Sequence, residues 1–165
     1  MSSSTTVLAG AAAGIAILIA TSAQAQDVPL SAQLSDPHVM GWMQGVPPAK
    51  DKRITVAAGD FLAFPKSRWT VCHIRELFQT VGVSRGRGAP EPLDYLPHHW
   101  FAEMRSTIDA LTFIPTGSNE AMTWAESLAA NYTDGLLILH RGRVVYEWHS
   151  GCLTDAGKHA AMSMT

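Results

Sequence analysis

The chain has 165 residues, enough for one domain, and its hydrophobic content of 47% supports a packed core and excludes disorder throughout. A formal net charge of −2 gives no reason to expect a nucleic-acid partner. The basic residues Lys50, Lys52 and Arg53 are diluted by Asp51 and read as a solvated loop.

Residues 1–25 read as a signal peptide. Val7 to Ala20 is apolar and uncharged, and Ala23-Gln24-Ala25 supplies a small-residue cleavage site, leaving Gln26 as the mature N-terminus. Met1 to Thr6 lacks Lys and Arg, so an uncleaved membrane anchor is the alternative. The stretch is short for a span and rich in Ala and Gly, which favours cleavage and export to the periplasm or beyond. A membrane partner is expected only if the leader is retained.

Residues 26–53 carry Pro29, Pro37, Pro47, Pro48, Gly41 and Gly45 and read as an extended arm, with Met40, Trp42 and Met43 to dock it. Residues 54–165 form the domain proper. Ile54 to Val56 and Phe61 to Phe64 read as a small hairpin turning at Gly59, ended by Pro65. Thr70 reads as the N-cap of a helix whose apolar positions Val71, Ile74, Leu77, Phe78 and Val81 run to Gly82. His73 and Glu76 lie three apart on it and read as a solvated or salt-bridged pair. Arg85 to Pro97 reads as loop, because Gly86, Gly88, Pro90, Pro92 and Pro97 interrupt any element. His98 and His99 are adjacent, so they point apart and read as loop histidines rather than as a chelating pair. Trp100 to Leu111 gives a weak helical signal. Thr123-Trp-Ala-Glu126 is a capping box for a helix to about Asn131, with Trp124, Leu128 and Tyr132 on one face.

Asp134-Gly135 then turns the chain into a hairpin over Gly135 to His149. Leu136 to Leu139 is a continuous apolar run, as in a strand buried on both faces. The next strand alternates, with Val144, Tyr146 and Trp148 opposite Val145, Glu147 and His149. Gly142 can supply the left-handed residue of the turn. Cys72 and Cys152 lack zinc-site spacing. An exported protein can pair them, and two buried free thiols are an equally good reading. No metal and no cofactor is expected.

This hairpin, a short connection and Met162-Ser163-Met164-Thr165 resemble the serine hydrolases of the class C β-lactamase and penicillin-binding-protein superfamily, closest to the 6-aminohexanoate-dimer hydrolase branch. His159 and Ser163 match that branch's His-x-x-x-Ser step. Arg68-Trp69, His73-Ile74-Arg75-Glu76-Leu77 and Val83-Ser84-Arg85 resemble its N-terminal segment, so the likeness covers about residues 36–165. Ser163 would be the nucleophile of a Ser-x-x-Lys motif, and the sequence ends one residue before the lysine is due.

The resemblance implies an α+β chain: the N-terminal portion of a β-lactamase/transpeptidase-like fold, an antiparallel sheet with helices. It implies cleavage of a small-molecule amide or ester through an acyl-enzyme on Ser163. The motif spacing places the lysine amine one helical turn from the serine oxygen, where burial and nearby charge can make it a base. The family's lysine and a later tyrosine are absent from these 165 residues. Loss of such a group costs roughly six orders of magnitude in turnover, so the fragment itself is expected to be inactive, with an incomplete, association-prone sheet. The competing readings are a small exported binding protein without catalysis and, if the leader is uncleaved, a membrane-anchored subunit.

Overall fold

The computed structural model describes residues 29–84 and 86–161. The leader at residues 1–25, Arg85 and the stretch Met162 to Thr165 that contains Ser163 lie outside the described residues. Among the described residues no helix is long and apolar enough to cross a membrane.

The architecture is α+β in the general sense. Helix α1 spans Pro37–Met40, α2 Ser67–Leu77, α3 His98–Asp109 and α4 Trp124–Ala130. Strands β1 (Asp94–Tyr95), β5 (Arg143–His149) and β4 (Gly135–His140) form one sheet in the spatial order β1-β5-β4, and β2 (Thr112–Phe113) pairs with β3 (Met122–Thr123) in a second.

The segment before residue 54 is more structured than an extended arm. Asp36 caps α1 by accepting from the backbone N–H of His38 at 2.8 Å, and Gly41, at φ 68°, ends it. Trp42 then packs with Ile54 and Trp69 in a buried cluster flanked by Met40 and Met43. The arm is therefore part of the core.

The hairpin expected at residues 54–64 does not form. Val56–Ala58 is a single 3-10 turn; the Thr55 hydroxyl accepts from the Ala58 N–H at 3.3 Å, and Gly59 closes it at φ 77°. A capping threonine before two alanines and a glycine after them make a helical start and stop, and that local preference overrides strand pairing. Helix α2 begins at Ser67, three residues before Thr70, and ends at Leu77, before Val81. Thr70 is no cap: it is fully buried, and its hydroxyl donates to the Phe61 carbonyl at 2.7 Å. His73 leaves the helical region (φ −121°, ψ 21°) and stacks on Trp69 with ring centroids 4.1 Å apart, so its ring faces Trp69 instead of forming the expected pair with Glu76.

The loop expected over Arg85 to Pro97 contains β1, which runs parallel to β5 with Asp94 opposite Arg143 and Tyr95 opposite Val144. Arg143 Nε donates to Asp94 Oδ2 at 2.8 Å across this pairing. His98 and His99 open α3 and are not loop residues. The Thr123–Glu126 capping box is present in full and starts α4.

The terminal hairpin forms over the expected residues. Leu136 faces Trp148 and Ile138 faces Tyr146; a bulge then shifts the register so that Leu139 faces Val144. Arg141 at φ 51° and Gly142 at φ 81° make a two-residue turn with both positions left-handed. Val144 and Tyr146 are fully buried, on the sheet face where the Tyr146 hydroxyl donates to Asp109 Oδ1 of α3 at 2.7 Å. Strand β4 is not buried on both faces. It lies at an edge of the sheet, with Leu137 and Leu139 exposed by 40% and 48%.

Candidate functional site

The sheet face that carries Leu137, Glu147 and His149 looks onto α2 and onto the segment after β5. Together they enclose an open cavity of about 700 Å³. Its polar lining comes from Arg68, Asp134, Glu147, His149 and His159, and its apolar lining includes Val71 and Leu153.

Arg68 and Asp134 form a buried ion pair at one end, 3.2 Å from Nη2 to Oδ1, with side-chain exposures of 6% and 8%. A buried guanidinium has to be paired and hydrogen-bonded to offset its desolvation. Here Nη1 also donates to the Ala32 carbonyl at 2.6 Å and to Ser35 Oγ at 3.0 Å, and the cation lies over the Tyr132 ring, 5.3 Å from its centroid. Arg68 is thereby held between the first described segment and the hairpin. Gly151 makes this possible. It is left-handed (φ +58°), and a Cβ there would overlap Asp134 Oδ1 and lie 2.8 Å from Arg68 Nη2.

The second oxygen of Asp134 faces His159, with Nε2 to Oδ2 at 3.3 Å, and Nδ1 lies 2.9 Å from the Ala160 carbonyl. An imidazole protonated at both nitrogens donates to both acceptors; a neutral ring donates to one. The carboxylate fixes the orientation of the ring. The backbone of this segment is tied to α2 by the Ala160 N–H, which donates to the Val71 carbonyl at 2.7 Å.

Next to this bond, Cys72 of α2 is joined to Cys152 in a disulfide, with Cα atoms 5.9 Å apart. This settles the alternative left open by the sequence: the two cysteines are bonded, not free. The fold supplies the reason, since α2 and the segment after β5 lie side by side although 80 residues separate the cysteines.

At the other side of the cavity His149 sits between two carboxylates, with Nδ1 2.8 Å from Asp155 Oδ1 and Nε2 3.7 Å from Glu147 Oε1. Glu147 also accepts from the Tyr95 hydroxyl at 3.0 Å. That hydrogen bond, with smaller contributions from burial and the Glu147 charge, holds the Tyr95 phenol above its ordinary pKa.

The candidate nucleophile Ser163 lies outside the described residues, and His159, four positions before it in sequence, lies on the cavity. Sequence reasoning did not assign Arg68 and Asp134 to a common site. Arg68 was visible only as part of the Arg68-Trp69 resemblance and Asp134 only as half of an Asp-Gly turn. No family model, no curated protein and no solved structure matches this chain.

Proposed function

We propose that residues 36–165 are the N-terminal part of an exported serine hydrolase, of β-lactamase/transpeptidase type, that cleaves amide or ester bonds through an acyl-enzyme on Ser163. The reading rests on the likeness of the hairpin, His159 and Ser163 to the 6-aminohexanoate-dimer hydrolase branch. The observation that supports it best is the convergence of the hairpin, α2 and the His159 segment on one cavity, four residues ahead of the serine. In this reading Asp134 and Arg68 position His159, and the segment that leads to the nucleophile is anchored on α2. The disulfide supports export, because such bonds persist in oxidising compartments. The edge of β4 that is unpaired among the described residues is where further strands of the sheet would pair.

The test is acylation. A p-nitrophenyl ester is mixed with the 165-residue chain and with the product of the continuing reading frame, and adducts are located by peptide mass. Position 166 is expected to encode lysine. The longer product is expected to acylate at Ser163 and to lose turnover on Ser163→Ala, by roughly six orders of magnitude if the site behaves as other serine hydrolases do. The short chain is expected to stay at background. A residue other than lysine at 166, or equal turnover by Ser163→Ala, overturns the reading.

A further inference from the structure

We propose that reduction of the Cys72–Cys152 disulfide converts this cross-link into a zinc site formed by Cys72, Cys152 and His159. The donor atoms of these three residues all lie within 4.8 Å of one another. In a tetrahedral zinc site thiolate sulfurs stand about 3.8 Å apart, given Zn–S bonds of about 2.3 Å, and sulfur–nitrogen separations are similar. The imidazole nitrogen is thus already near both sulfurs, while the sulfurs, bonded to each other in the oxidised chain, must move apart to about 3.8 Å once reduced. The sequence spacing gave no hint of this, because the donors come from α2, from the turn after β5 and from the segment beyond it.

Three further features suit a metal. His159 Nε2 faces Asp134 Oδ2 at 3.3 Å, and a carboxylate on one imidazole nitrogen is the usual way a ligating histidine is oriented; zinc would take Nδ1 in exchange for its 2.9 Å contact with the Ala160 carbonyl. Asp134 is itself fixed by Arg68. His159 is exposed while Cys152 is buried, so an ion can approach from the His159 side and meet a buried sulfur ligand. Two thiolates and one imidazole are a donor set that zinc accepts, with the fourth position left to water.

The chemistry balances through thiol–disulfide exchange. A cysteine dithiol is oxidised to its own disulfide and passes two electrons and two protons to Cys72 and Cys152. Zinc then displaces both thiol protons as it binds the two thiolates. The outcome is one link between α2 and the post-β5 segment, made of sulfur–sulfur bonding in an oxidising compartment and of zinc in a reducing one. The site stands independently of the hydrolase reading.

The experiment uses the full 165-residue chain, oxidised or reduced with a phosphine. Zinc is measured by equilibrium dialysis, and Co²⁺ serves as the optical probe. The reduced chain is expected to bind one zinc and to show thiolate-to-cobalt charge transfer with tetrahedral visible bands. The oxidised chain is expected to show neither. His159→Ala is expected to weaken zinc binding by at least about tenfold, Cys152→Ser to remove most of the charge-transfer band, and His149→Ala, outside the cluster, to change neither. Far-UV circular dichroism records whether each reduced variant keeps its fold. Binding through an unfolded chain would be weakened equally by His159→Ala and His149→Ala, and that result overturns the proposal. So does a reduced chain that takes up no more zinc than the oxidised one.

Discussion

At the scale of single residues, Gly151 packs against the buried Arg68–Asp134 pair, so a side chain at that position would disturb a paired buried charge. Gly151 and Gly59 are both left-handed, but a Cβ at Gly59 meets nothing within 4 Å whereas one at Gly151 overlaps the ion pair. Gly59→Ala is therefore expected to cost only the conformational penalty, about 1–2 kcal/mol. Gly151→Ala must also displace a paired buried charge and is expected to cost about 3–5 kcal/mol. Urea denaturation of the two variants separates these contributions, and equal losses would show that the packing on the pair adds nothing. The contribution of Tyr146 to stability depends on pH. Burial first, and then its hydrogen bond to Asp109, push the phenol from 10.0 up to about 12. The unfolded phenol ionises near its ordinary value while the folded one keeps its proton. The stability contribution is thus complete below pH 10, declines between about pH 10 and 12, and totals about 2–3 kcal/mol. Tyr146→Phe is expected to flatten that part of the stability–pH curve relative to the parent chain, measured by denaturant midpoints at each pH.

At the scale of elements, what could be read in the sequence was what nearest neighbours decide. Thr123 and Glu126 are three residues apart and complete their capping box without help from elsewhere. The hairpin from Gly135 to His149 follows from alternation and a two-residue turn. Elements set by competing local signals were harder. Gly59 is a good turn residue and an equally good helix terminator, and the Thr55 cap decided for the latter. Strand β1 could not be read at all, because two residues hold it by pairing with β5 some 50 positions away. Arg141 adopts φ 51°, which strains a residue with a long side chain, whereas asparagine tolerates it. Arg141→Asn is expected to raise stability by about 0.5–1 kcal/mol, seen as a higher denaturant midpoint with an unchanged slope.

At the scale of the whole molecule, distant parts of the chain make the candidate site. Arg68 reaches Asp134 across 66 positions and Cys72 reaches Cys152 across 80, and no local pattern announces either partner. The same long-range assembly leaves one side of the sheet open. Strand β5 has partners on both edges, while β4 has β5 alone among the described residues. An edge strand that presents unpaired N–H and C=O groups beside apolar side chains is a template for edge-to-edge association. Leu139 lies 48% exposed next to the hairpin turn, so covering it on association returns about half of the roughly 1.5–3 kcal/mol available from a fully buried leucine. Leu139→Lys places a charge on that edge and gives up only the half-buried contact opposite Val144, so its cost to folding stability is expected to stay at about 1 kcal/mol. In sedimentation velocity the parent chain is expected to shift to larger species as concentration rises, and Leu139→Lys to hold the smaller sedimentation coefficient over the same range. Identical profiles for the two would mean that the open edge is screened by its own geometry and that leucine exposure alone does not drive association.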